Sequence, residues 1–93
     1  MLGQRIRTPS GELDLITERD GLLVFIEVKQ RASLAEAAYA LGPRQIARLC
    51  AAAEAWMADN PGHGEAGVRF DVLLRDDMGG MRRIMDAFRP GMG

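Results

Sequence analysis

Gly11-Glu12-Leu13-Asp14-Leu15-Ile16-Thr17, then Glu18-Arg19-Asp20-Gly21, then Leu22-Leu23-Val24-Phe25-Ile26-Glu27-Val28-Lys29 reads as two strands around a tight turn. Asp-Gly is a preferred two-residue hairpin connection, because both of its positions tolerate positive φ, and apolar β-formers flank it here. The strands are expected over Gly11 to Thr17 and Leu22 to Lys29. A two-residue turn pairs Arg19 with Leu22. Counting back, Leu13 faces Val28, Leu15 faces Ile26 and Thr17 faces Val24, an apolar face expected to be buried. On the other face Glu12 meets Lys29, Asp14 meets Glu27 and Ile16 meets Phe25. A slip of one residue would carry charges onto the buried face, so the pattern selects this parity, while registers two residues away stay open.

That register makes Asp14 and Glu27 cross-strand neighbours, roughly 5 Å apart at Cβ, where like charges repel. A divalent cation between the carboxylates is the simplest physical reason to keep them, and oxygen-only ligands favour Mg²⁺ or Mn²⁺. Lys29 projects from the same face, two residues beyond Glu27. It is the only lysine among twelve basic residues. A compact ammonium suits a phosphate held at a metal, where a planar guanidinium does not substitute. Asp14, Glu27 and Lys29 are therefore the candidate catalytic set, with Asp14 and Glu27 as metal ligands and Glu12 as an additional acid. Water activated by a metal and directed at a phosphodiester is the reaction these parts support. The competing reading is a solvated strand face on which Lys29 pairs with Glu12 and the repulsion is tolerated.

Composition narrows the setting. Ninety-three residues suffice for one domain over 1–93, burying roughly 60–65% of the surface of the unfolded chain. No apolar run approaches the roughly 20 residues that span a bilayer, and Met1 to Thr8 lacks a signal-peptide core. A single cysteine, Cys50, excludes an internal disulfide and fits a cytoplasmic protein with no membrane partner. The net charge of −1 argues against a nucleic-acid partner when taken as a sum. A metal site concentrates carboxylates, however, and its cation reverses the local field. Arg5, Arg7, Arg31, Arg44 and Arg48 also cluster in the half of the chain that carries the candidate site.

Beyond the hairpin, Ser33-Leu34-Ala35-Glu36 has the form of a capping box, opening a short helix through about Leu41. Pro43 suits the first turn of a second helix, which Asn60-Pro61-Gly62 ends after Asp59. Ile46, Leu49, Cys50, Ala53 and Trp56 or Met57 are spaced for its buried face. Arg44 and Arg48, at i and i+4 with Gln45 beside them, form an exposed face suited to a nucleic-acid backbone or simply to solvent. Val68 to Leu74 and Met81 to Phe88 read as two further strands, and Gly62 to Gly67 as a loop with an exposed His63.

The chain resembles the UPF0102 family, whose bacterial members are also called YraN-like. The resemblance is carried by Arg7-Thr8-Pro9, Gly11 to Ile16, Val24 to Lys29 with Arg31, Pro43-Arg44-Gln45, Arg69-Phe70-Asp71-Val72 and Asp86-Ala87-Phe88. That family is similar to archaeal Holliday-junction resolvases among PD-(D/E)xK proteins. The resemblance implies an α/β fold, a restriction-endonuclease-like mixed β-sheet flanked by helices, with Asp14, Glu27 and Lys29 in the nuclease motif. It also implies an N-terminal helix before the Arg-Thr-Pro segment, which Met1 to Ile6 is too short to form. The expected activity is Mg²⁺- or Mn²⁺-dependent hydrolysis of DNA, including branched DNA, with Arg7, Arg31, Arg44, Gln45 and Arg48 meeting the nucleic acid. The alternatives are a nucleic-acid-binding module without turnover and a protein-interaction domain. Without a first helix part of the sheet stays open, which predicts a homodimer.

Overall fold

The computed structural model describes residues 1–90. Five strands and two helices follow one another as β1 (Gly3–Thr8), β2 (Gly11–Arg19), β3 (Leu22–Gln30), α1 (Leu34–Ala38), α2 (Pro43–Asp59), β4 (Gly67–Arg75) and β5 (Met81–Phe88). They form one mixed sheet in the order β1-β2-β3-β4-β5. Only β3 and β4 run parallel, because the helical crossover returns the chain to the starting end of the sheet. This is an α/β architecture of the restriction-endonuclease-like kind.

The β2–β3 turn has φ of 53° at Asp20 and 82° at Gly21, and it sets the expected register from Arg19–Leu22 through Leu15–Ile26. The strand β1 departs from the expectation that the segment before the hairpin is only a lead-in. It pairs antiparallel with β2 from Gly3–Ile16 to Thr8–Gly11, and the Thr8 hydroxyl donates to the Gly11 carbonyl at 2.7 Å across the connection.

Both helices start where the capping signals place them. The Ser33 hydroxyl accepts the Glu36 amide at 3.1 Å, although α1 stops at Ala38 rather than near Leu41. Pro43 opens α2, and Asn60 closes it by donating from Nδ2 to the Trp56 carbonyl at 2.9 Å. Leu49, Cys50, Ala52, Ala53 and Trp56 form the buried side of α2.

The sheet face that receives them is the reverse of the one expected. The helices pack on Ile16, Leu23, Phe25, Phe70, Val72, Leu74 and Phe88, whereas Val24 and Ile26 are buried on the opposite face and Leu15 and Val28 are only partly buried. Alternation could not decide the matter, because Leu22 to Ile26 is apolar on both faces. Aromatic packing decides it: Phe25 meets Trp56 edge-on at 6.0 Å and stacks on Phe70 at 5.5 Å, and Phe70 stacks on Phe88 at 4.9 Å. Leu13 joins Ile16 in the core although they lie three positions apart. A regular strand would place them on opposite faces, so the alternation breaks at Asp14–Leu15.

Candidate active site

Asp14 is the cause of that break. Regular β2–β3 pairing ends at Leu15–Ile26, and beyond it the Asp14 carboxylate accepts the Val28 amide at 2.8 Å. A side chain takes the place of a backbone carbonyl in the ladder. The carboxylate is thereby pinned in a cleft of about 210 Å³ lined by Gly11, Glu12, Asp14, Glu27, Gln45, Arg48 and Leu49. The strands supply the acids, and Gln45, Arg48 and Leu49, spaced i, i+3 and i+4, supply the α2 wall.

Glu27 stands on the helix-facing side of β3, two residues after Phe25, and is half-buried. Its pKa is pushed from 4.5 up to about 8. Burial is the largest cause, followed by the hydrogen bond to the Asp14 carboxyl and the negative field of Asp14. Lys29 opposes the rise, and Glu12 adds weakly to it.

Of the residues expected at the site, Glu12, Asp14, Glu27, Gln45 and Arg48 line the cleft. Lys29 is half-buried on β3, beside Glu27 along the strand. It does not pair with Glu12, which instead lies 3.7 Å from the Arg7 guanidinium. Arg31 donates to the Gln30 carbonyl at 2.6 Å, and Arg44 is exposed on α2 outside the lining of the cleft. The donor set fits Mg²⁺ or Mn²⁺ in one specific sense: two converging carboxyls are what Mg²⁺ takes when water and substrate complete its shell. Among the described residues no group of three or more His, Cys, Asp or Glu side chains is arranged to hold a metal ion.

Two clusters escaped the sequence reading. Asp71, fully buried on the face away from the helices, accepts from Arg69 at 2.9 and 3.0 Å, from Arg83 at 2.8 and 3.1 Å and from the Asp86 amide at 3.0 Å. Burial raises its pKa, but these donors outweigh burial and hold it below the usual carboxylate range. The donated amide belongs to a residue at φ 53°, beside the irregular β4–β5 pairing between Phe70 and Val72. Arg69-Phe70-Asp71 and Asp86 were visible only as parts of a resemblance, since strand pairing alone brings them together. His63, expected to be exposed, is partly buried: Nδ1 meets Glu18 Oε1 at 2.9 Å, and the Gly64 amide donates to Glu18 Oε2 at 2.7 Å. That bond to His63, then the one from Gly64, lowers the Glu18 pKa.

Among the described residues no helix is long and apolar enough to cross a membrane. A family model described as "Uncharacterised protein family UPF0102" matches residues 1–74. A UPF0102 protein of Granulibacter bethesdensis is 56% identical over 89 residues, which cover 96% of this chain and 56% of the relative. One from a Bradyrhizobium species is 49% identical over 88 residues, covering 95% of this chain and 62% of the relative. The chain thus spans about three fifths of the length of these relatives.

Proposed function

The chain belongs to the UPF0102 family, and we propose that it is a nuclease-like protein that hydrolyses DNA phosphodiester bonds with Mg²⁺ or Mn²⁺. The observation that supports this reading is the Asp14–Glu27 pair lining an open cleft, where burial first and the neighbouring Asp14 second push the Glu27 pKa up to about 8. Two carboxyls lining one cleft cost stability unless something positive sits between them. A bound divalent cation supplies electrophilic stabilisation of the phosphate and acidifies water. Asp14, pinned by the Val28 amide, and Glu27, in the same cleft, would hold that ion. Lys29 neutralises charge that develops on the phosphate or orients the attacking water. Branched DNA is included in the substrate class through the resemblance to junction resolvases.

Nicking and cleavage of duplex, single-stranded and four-way-junction DNA with Mn²⁺ tests the proposal, comparing wild type with Asp14→Ala. Cleavage by the wild type that the variant loses supports it. Equal products from both would mean a contaminating nuclease and no activity of this cleft. A second reading, nucleic-acid binding without turnover, is favoured by the lack of a third His, Cys, Asp or Glu metal donor among the described residues. It predicts binding of the same DNAs without cleavage in any divalent metal.

A further inference from the structure

Five residues were expected to meet nucleic acid, and two of them, Gln45 and Arg48, line the cleft. Arg48 is set apart by how its side chain is held. Gly11, at the start of β2, has φ of +147°, and a Cβ built on it would lie 3.2 Å from Arg48 Cγ and 3.4 Å from Cδ. The methylenes of Arg48 therefore lie against the Gly11 backbone. Any other residue at position 11 would crowd them and would also be strained at that φ. Long arginine stems commonly pack in this way while the charged head stays in water. Arg48 makes no ion pair within 4.0 Å among the described residues, although Glu12, Asp14 and Glu27 line the same cleft.

Charge balance indicates what this guanidinium serves. Asp14 and Glu27 would be answered by the divalent cation they would hold. Glu12 is answered by Arg7 at 3.7 Å. Lys29 lies two residues beyond Glu27 on β3 and does not line the cleft. Arg48 remains as the uncommitted positive charge on the α2 wall of the loaded cleft. A planar guanidinium can present two parallel N–H groups to the non-bridging oxygens of a phosphodiester, and an ammonium cannot.

We propose that Arg48 is the phosphate-binding arm of this cleft and that Gly11 is the positioning residue that holds it. The proposal rests on the reading of the cleft given above and identifies the residues that present the strand to it. The test is fluorescence anisotropy with labelled duplex and four-way-junction oligonucleotides across a salt series, with Ca²⁺ replacing Mn²⁺ to suppress turnover. Arg48→Gln should weaken binding about tenfold and flatten the dependence of log affinity on log salt by about one. Arg48→Lys should keep the salt slope yet bind more weakly than wild type. Gly11→Ala should reproduce the Arg48→Gln losses, and the double variant should be no weaker than Arg48→Gln, because both changes remove one interaction.

Wild-type affinity in Arg48→Gln, or an equal loss in Arg82→Gln on β5, would overturn the proposal. Additive losses in the double variant would overturn the role of Gly11. Should Gly11→Ala fail to fold by circular dichroism, the contrast between Arg48→Lys and Arg48→Gln decides. The rise of Tm with Mn²⁺ reads the carboxylates independently. Its absence in wild type overturns the metal reading, whereas its persistence in an Arg48→Gln variant that binds normally overturns the arm alone.

Discussion

Replacing Glu27 by glutamine should make the metal-free protein more stable at high pH and nearly indifferent to pH where the wild type is not. The Glu27 pKa moves from 4.5 to about 8 on folding, so the folded chain binds that proton more tightly than the unfolded chain does. The associated stability is complete below about pH 4.5 and is lost as pH rises through 8. The full shift corresponds to an upper bound of about 5 kcal/mol. Glu27 is half-buried and opens onto a cleft that water enters, so about 2 kcal/mol is the expected size. For a chain of this length that is about 10 °C in Tm.

Other shifted groups act elsewhere on the pH axis. Glu18, Asp71 and Asp86 have lowered pKa values and lose their contributions in acid, whereas the Cys50 thiol is pushed up from 9.0. Among these shifted groups Glu27 is the one whose contribution changes between pH 5 and 8.5. Glutamine reproduces the neutral acid, including a donor toward Asp14. Urea or thermal melts of both proteins in EDTA across that window supply the measurement. Parallel curves, or a wild type equally stable at pH 5.5 and 8.5, would refute the reasoning.

Millimolar Mn²⁺ should raise the wild-type Tm by mass action, more at pH 8 than at pH 6, and should leave Asp14→Asn unmoved; calorimetry with and without EDTA checks both. Lys29→Arg should lose most cleavage of junction or duplex DNA while keeping wild-type melting and DNA affinity, and full activity would remove the case for an ammonium there. Asp71→Ala should cost about 3 kcal/mol in denaturant melts by stranding two guanidiniums on a buried carboxylate's former site. Light scattering at micromolar concentration should show a homodimer closing the sheet face that carries the partly buried Leu15 and Val28, and a 10.2 kDa monomer would defeat that expectation.

Local chemistry made much of this protein legible in advance. Asp20-Gly21 can take positive φ at both positions, so the hairpin and its pairing sum followed from two residues. Pro43 and Asn60-Pro61 bounded α2 because proline lacks the amide that a helix interior needs. The register then brought Asp14, Glu27 and Lys29 to one side of one hairpin before any packing was known. Other features required the assembled molecule. The buried face could not be chosen along β3, since Leu22 to Ile26 is apolar on both sides, and it was settled by Phe25 meeting Trp56 and Phe70 from distant elements. The alternation failed at Asp14 because its carboxylate captured the Val28 amide, a competition between side chain and backbone that no hydropathy pattern records. Strand β1 carries too few apolar residues to announce itself and exists because β2 offers it an edge. The bonds of Asp71 to Arg83 and Asp86 and the Arg48–Gly11 contact join residues 12 to 37 positions apart, so only the sheet order and the placement of α2 could bring them together.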